Sequence, residues 1–139
     1  MYLLDTDTLT YLYAGHPRVT SRLQKVNDTA VGTTIITKIE VLRGRMDAVL
    51  KADSAERLLY AQQLWVQSER RLDELIIVAL NQPAVAVFER LNAATMLRKV
   101  GRADLLIGSI ALANRATLVT LNRRHFEKIP GLKLENWVD

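Results

Sequence analysis

The sequence predicts an α/β sandwich built on a mostly parallel sheet, and two observations carry that reading. Short apolar or β-branched runs alternate with longer segments of helical periodicity, the pattern of strands joined by crossover helices. The 139 residues, 49% hydrophobic and 24% charged, suffice for one domain of ordinary size with a buried core, so residues 1–139 are read as a single unit. No repeat, low-complexity tract or linker divides it.

Residues 2–4 are an apolar run ending in Asp5, which predicts a short buried strand. Thr8 to Tyr13 predicts a short helix, broken by Ala14-Gly15-His16-Pro17. Pro17 suits the first turn of a second helix reaching about Val26. The β-branched stretch Thr29 to Ile36 is a second strand, and a helix follows from about Lys38 with Ile39, Leu42 and Met46 at helical spacing. Residues 53–71 form a longer helix with Ser54 as its cap and Leu58, Leu59, Leu64 and Trp65 as its apolar face. Leu75 to Leu80 is a third strand, and Asn81-Gln82-Pro83 turns into a helix ending near Met96. Gly101 stops the connection; Asp104 opens a helix that offers Leu105, Ile107, Ile110, Ala111 and Leu112 for burial. Ala116 to Leu121 is a fourth strand, and Phe126 to Leu134 a loop returning to a short final strand at Lys133 to Glu135.

Composition narrows the chemistry. With no cysteine, disulfides, thiolate metal sites and cysteine nucleophiles are excluded. His16 and His125 are the only histidines, which argues against a histidine-rich zinc site. The opening Met1-Tyr-Leu-Leu-Asp5 lacks the basic and apolar regions of a leader, and no apolar run is long enough for a membrane helix. A soluble, cytoplasmic protein is expected. Net charge is +4, a mild pointer to a polyanionic partner. The basic residues gather at Arg43 and Arg45, at Arg98, Lys99 and Arg102, and at Arg123, Arg124, His125 and Lys128.

Three acids stand apart because they sit in apolar surroundings, where a lone carboxylate is costly. Asp5 ends a strand, Glu40 lies among Ile36, Ile39, Val41 and Leu42, and Asp104 precedes Leu105-Leu106-Ile107. Singly, each has an ordinary explanation: a turn or cap at Asp5, a solvent-facing helix position at Glu40, an N-cap at Asp104. In parallel sheets, however, ligands bind beyond the carboxyl ends of the strands, which brings Asp5, the segment after Ile36, and Asn122 to one rim. Carboxylates gathered there repel one another unless a hard cation binds them, and Mg²⁺ or Mn²⁺ suits oxygen ligands.

At these residues the chain resembles the PIN domain family, and within it the VapC-type toxin ribonucleases. The matching pieces are Tyr2-Leu-Leu-Asp-Thr-Asp-Thr-Leu9, Thr37-Lys-Ile-Glu-Val-Leu-Arg-Gly44, Gly101-Arg-Ala-Asp-Leu-Leu-Ile-Gly-Ser109 and Ala116-Thr-Leu-Val-Thr-Leu-Asn122, then Phe126 through Trp137. They stand in the family's order and spare only the helix region of about 47–75. The resemblance implies a three-layer α/β/α fold and a metal-dependent endoribonuclease. It maps the family's first three acids to Asp5, Glu40 and Asp104, as ligands of Mg²⁺ or Mn²⁺ and catalytic residues. The fourth acidic position falls on Asn122, an amide, which removes a charge and weakens the case for a full second metal site. Asp7 stands where the family usually has Asn; it either restores that charge or caps the helix from Thr8. Thr37 and Thr120 match small hydroxyl positions that bond a carboxylate or a water, or are ordinary cap and strand threonines. Arg43, Arg102, Arg123 and Arg124 are candidates to hold the RNA backbone.

The resemblance further implies a structured RNA substrate such as tRNA, a small VapB-like antitoxin partner and a homodimer. Leu9, Leu12 and Tyr13 are available for either protein contact, or for the core. Two other readings compete. Asp5-Thr-Asp7-Thr8-Leu9 also resembles the opening of haloacid-dehalogenase-type phosphatases, although the later acidic pair of those enzymes is missing. A PIN-like domain that binds RNA or a partner without cutting would also accommodate the amide at Asn122.

Overall fold

The computed structural model of the chain describes residues 1–26 and 30–139. Its sheet has five strands: β1 (Tyr2–Leu4), β2 (Val31–Thr34), β3 (Ile76–Val78), β4 (Thr117–Val119) and β5 (Lys133–Glu135). They run in the order β3-β2-β1-β4-β5, and every pairing is parallel. The helices are α1 (Thr6–Tyr13), α2 (Pro17–Lys25), α3 (Ile35–Lys51), α4 (Ala55–Asp73), α5 (Gln82–Ala93), α6 (Arg102–Ala113) and α7 (Arg123–Phe126).

Strand alternation creates the three layers. Leu3 and Leu118 point into one core with Phe88, Leu91, Ile107 and Ile110 of α5 and α6. The adjacent Leu4 and Val119 point the other way, against Leu9, Val19, Leu72 and Trp137. The sheet is therefore covered on both faces, as a parallel sheet must be. Leu9 belongs to this second core, and Leu12 and Tyr13 pack against it.

Several boundaries depart from expectation for local reasons. The strand expected over 29–36 ends at Thr34, and the helix expected from Lys38 begins at Ile35. Thr34 Oγ1 accepts from Thr37 N at 3.2 Å, so this hydroxyl caps the helix and draws two β-branched isoleucines into its first turn. Thr29 lies outside the described residues. Helix α1 likewise starts early, at Thr6, because Asp5 is its cap. The helix expected to run to Met96 stops at Ala93; extended backbone at Ala94 separates it from a 3-10 turn at Thr95–Leu97 that buries Leu97. The sequence predicts a loop from Phe126, but Arg123–Phe126 winds one turn and drives Phe126 into the core.

The apolar face expected on α4 is the largest departure. Leu58 and Leu59 are 44% and 68% exposed, while Ala61, Ser68 and Leu72 face inward. On the neighbouring α3, Ile39, Met46 and Leu50 are exposed too. The α3–α4 hairpin thus presents an apolar surface that its own chain does not cover. None of the described helices is long and apolar enough to cross a membrane.

Candidate active site

The strand order places β1 at the point where the chain changes direction across the sheet, with β2 on one side and β4 on the other. Ligands of such sheets bind there, beyond the carboxyl ends. Asp5 is the first residue past β1 and Thr120 the first past β4. Asp5 N donates to Val119 O at 3.0 Å, so the ladder continues one residue beyond the strands before the two chains part.

Asp5 is 6% exposed and fully engaged. Its Oδ1 accepts from Thr8 N at 2.9 Å, capping α1, and its Oδ2 accepts from the Thr120 hydroxyl at 2.6 Å. Burial pushes its pKa above the ordinary carboxylate value, against the opposing pull of the Thr120 and Thr8 hydrogen bonds. Asp7, a like charge nearby, adds to the upward shift. Asp7 is not a cap, since Asp5 holds that position; it sits in the first turn of α1.

Glu40 is on the exposed side of α3, in its second turn. Its Oε1 accepts from the Thr6 hydroxyl at 2.7 Å, and Thr6 Oγ1 lies 3.3 Å from Thr37 Oγ1. Thr6 thus ties the first turn of α1 to α3, and Thr37 acts on Glu40 only through it. Asp104 is the third residue of α6 rather than its N-cap, which is Gly101. Its Oδ2 accepts from Asn122 Nδ2 at 3.2 Å and lies 3.1 Å from His125 Nδ1. Asn122 is itself held by its backbone N–H, which donates to Thr120 Oγ1 at 2.9 Å. Thr120 therefore links Asp5 and Asn122 with one hydroxyl.

These side chains meet at a cavity of about 150 Å³ lined by Asp5, Thr6, Asp7, Glu40, Asp104, Ile107 and Asn122. All four sequence candidates for catalysis are on its wall, and so is Asp7. Thr37 and Thr120 stand behind it. The candidate RNA-binding arginines stand outside it: Arg43 and Arg124 are exposed, Arg102 lies 5.0 Å over the Phe88 ring, and Arg123 faces Glu127 at 3.6 Å. Sequence reading passed over Thr6 and assigned His125 only to a basic cluster. The available signals were the alternation of threonines with Asp5 and Asp7, and a histidine three residues after Asn122.

The donor set suits a hard divalent cation. Asp5, Asp7, Glu40 and Asp104 bring carboxylate oxygens to one small polar cavity, with no sulfur among them. Among the described residues, however, no three His, Cys, Asp or Glu side chains already close on a common point. The oxygens of Asp5, Glu40 and Asp104 are turned to Thr6, Thr8, Thr120, Asn122 and His125 instead. Each such oxygen keeps a further lone pair, so an ion can be bound by modest side-chain rotation.

Known proteins with the same pattern exist. The PIN domain family profile matches residues 2–132. "Ribonuclease VapC2" of Rickettsia felis is 29% identical, covering 99% of this chain and 98% of the relative. "tRNA(fMet)-specific endonuclease VapC" of Salmonella typhimurium is 26% identical over 98% of this chain and 97% of its own length. Among solved structures, VapBC2 of Rickettsia felis bound to a DNA fragment from its promoter has a chain 28% identical with a TM-score of 0.78, covering 98% of both. VapBC-1 of nontypeable Haemophilus influenzae, 21% identical with a TM-score of 0.81 over 99% of this chain and 98% of the other, shares the fold.

Proposed function

The chain belongs to the PIN domain family, and from that premise we propose that it is a metal-dependent endoribonuclease, the toxin of a toxin–antitoxin pair. The observation that carries the reading is the cavity at the sheet's switch point, lined by Asp5, Glu40 and Asp104. Relatives named as VapC ribonucleases match this chain almost end to end, which supports the activity. The phosphatase alternative rests on Asp5-Thr-Asp7-Thr8-Leu9, and that segment falls within the family match.

In this reading Asp5, Glu40 and Asp104 hold one divalent ion, Mg²⁺ or Mn²⁺. When bound, such an ion supplies polarisation of a phosphodiester and a water of lowered pKa. The rest is done by the protein. Thr120 and the Thr8 amide fix the Asp5 carboxylate in one orientation, and Thr6 does the same for Glu40. Asn122 offers a neutral hydrogen-bonding group for a water or a phosphate oxygen. Arg43, Arg102, Arg123 and Arg124, outside the cavity, are the candidates to attract the RNA backbone. A structured RNA such as tRNA, presenting single-stranded loops, is the substrate class.

A protein partner is supported by the surface. A groove of about 420 Å³ runs between α1, α3 and α4, lined by Tyr13, Val41, Tyr60, Leu64 and Leu72 among others. With the exposed leucines of the α3–α4 hairpin it forms the site for a small antitoxin segment or a second copy of the chain, acting in the cytoplasm as a single 139-residue domain.

RNA cleavage is expected to require Mg²⁺ or Mn²⁺ and to stop in EDTA. Undiminished cleavage by purified protein in EDTA would sink the metal mechanism, and metal binding without any RNA turnover would favour a binding-only domain. Sequencing RNA 5′ ends after brief expression in cells reports cleavage, target and position together.

Asp7 and Asn122 set the site's charge. If Asp7 supplies charge to the ion, Asp7→Asn raises the Mg²⁺ concentration for half-maximal activity; Asp7 does not cap α1, so the change leaves the helix start intact. Asn122→Asp tightens Mg²⁺ binding. A Mg²⁺ titration of cleavage for wild type and both variants checks this. An inactive wild type rescued by Asn122→Asp would contradict it.

A further inference from the structure

Helix α2 carries three cations and no acid: Arg18, Arg22 and Lys25 among its nine residues. Its inward residues Val19 and Leu23 pack into the second core, and the basic ones are exposed. Positions 18, 22 and 25 are four and three residues apart, which stacks them on one face of the helix. That face borders a cavity of about 480 Å³, closed on its other side by Asn136 and Trp137 beyond β5.

Arg22 is held in place there. Its Nη2 donates to Glu135 Oε2 at 2.8 Å, and its guanidinium carbon lies 5.9 Å over the Trp137 ring. Trp137 is buried and donates from Nε1 to the same Glu135 oxygen at 2.7 Å. Glu135 takes one N–H of the guanidinium fork and leaves others for a ligand. A side chain already ordered in this way loses little freedom on binding. Arg18 and Lys25 flank it, and Arg18 has no ion pair among the described residues. Asp139 is the only acid among the described lining residues, and its Oδ2 already accepts from Asn136 Nδ2 at 3.0 Å. From Arg18 to Lys25 the helix advances about 10 Å, about three nucleotides of a stacked strand at about 3.4 Å each.

The cavity shares a rim with the proposed active site. Strand β5 runs parallel to β1 with β4 between them, so Asn136 is the first residue past β5 as Asp5 is the first past β1. Neighbouring strands lie about 4.8 Å apart, which separates these two ends by about 10 Å across the sheet. They are also joined, since Thr120 N donates to Glu135 O at 2.9 Å and the Thr120 hydroxyl holds Asp5. An RNA larger than the Asp5–Glu40 cavity can engage both places at once. We infer that Arg18, Arg22 and Lys25 form a separate site for the phosphate backbone of RNA flanking the cut. The inference rests on the proposed ribonuclease function and deepens it: this site favours long or folded RNA over short pieces and takes no part in the chemistry.

The test is RNA binding by the full chain in EDTA, which separates binding from cleavage. A folded RNA of tRNA size is compared with a short oligonucleotide that fills only the Asp5–Glu40 cavity. Arg18→Gln combined with Lys25→Gln weakens binding of the folded RNA by about tenfold, the loss of two exposed ion pairs. It also lowers the slope of log affinity against log salt by about 1.5. Arg22 is left in place because it also holds Glu135. Ser21→Glu, which puts a carboxylate into the cavity and removes no cation, weakens the folded RNA in the same way. The short oligonucleotide binds both variants within about twofold of wild type. So does the folded RNA with Lys51→Gln combined with Arg70→Gln, a charge-matched change at exposed positions of α3 and α4. Folded-RNA affinity unchanged in the Arg18 and Lys25 double variant overturns the inference and leaves the proposed function standing. An equal loss on the short oligonucleotide, in the charge-matched control or on duplex DNA of the same length shows only a general positive field and also overturns it. If the expected losses appear while wild type cuts no RNA in Mg²⁺, the RNA site stands and the nuclease reading falls.

Discussion

Asp5→Asn is expected to lose about a thousandfold in RNA cleavage, since a metal ligand contributes several kcal/mol of charge stabilisation and each 1.4 kcal/mol is tenfold. The metal-free variant stays folded and melts no lower than wild type. Burial raises the Asp5 pKa, so the folded chain holds that proton more tightly than the unfolded chain. Stability from this group is therefore greatest at low pH and is lost as pH rises from the ordinary carboxylate value through the raised one. At neutral pH the ionised, buried Asp5 costs stability that a neutral Asn does not. The opposing loss is the acceptor for the Thr120 hydroxyl, a smaller influence on Asp5 than burial. In EDTA at neutral pH the variant's Tm should exceed that of wild type by a few degrees, on the scale of about 1 kcal/mol. The difference should shrink toward pH 3, near and below the ordinary carboxylate pKa of about 3.9. Added Mg²⁺ should raise the Tm of wild type and not that of the variant. Glu40→Gln and Asp104→Asn should lose activity in the same way. Cleavage at the wild-type rate by any of the three would show that the ion is held elsewhere.

The largest loss of stability is expected from Gly32→Ala. Gly32 is in the middle of β2, opposite Ile76 of β3. A Cβ added there would lie 2.3 Å from the Ile76 carbonyl oxygen and 2.8 Å from its Cβ. The first of these is backbone in a hydrogen-bonded ladder, so relief requires the two strands to part. The cost should be about 3 kcal/mol or more, at the upper end for overpacking, and should lower Tm by about 10 °C. Because β2 leads through Thr34 directly into α3, activity should fall as well by misplacing Glu40. Chemical denaturation of wild type and variant measures the difference. A midpoint unchanged within about 0.5 kcal/mol, the range of an indifferent surface change, would refute the close approach.

Much of this architecture was legible in the residues. Tyr2-Leu-Leu ahead of Asp5, and Thr117-Leu-Val ahead of Thr120, announce buried parallel strands because both faces of such strands are apolar. Their carboxyl ends then locate the cavity by topology alone. What escaped depends on contacts between distant segments. Thr34 reads as part of a β-branched strand, and only its hydroxyl on the Thr37 amide turns the chain into α3. Thr6 is an unremarked threonine until α3 brings Glu40 within 2.7 Å of it. The α4 pattern misled for a different reason. Leu58 and Leu59 have the spacing of a core face, but this chain folds without covering them, and single-chain periodicity does not distinguish a core from an interface.

The bond between Thr120 and Asp5 spans 115 residues. Strand β1 precedes β2 and β4 in the chain but sits between them in the sheet, and β4 leaves the ribosome long after it. A growing chain accordingly has Asp5 and Glu40 long before it has Asp104, Asn122 and the strand that orients them. A product truncated before residue 117 lacks that strand altogether. On the proposed site, such a fragment is expected to be inert, because it can neither orient Asp5 through Thr120 nor present Asn122.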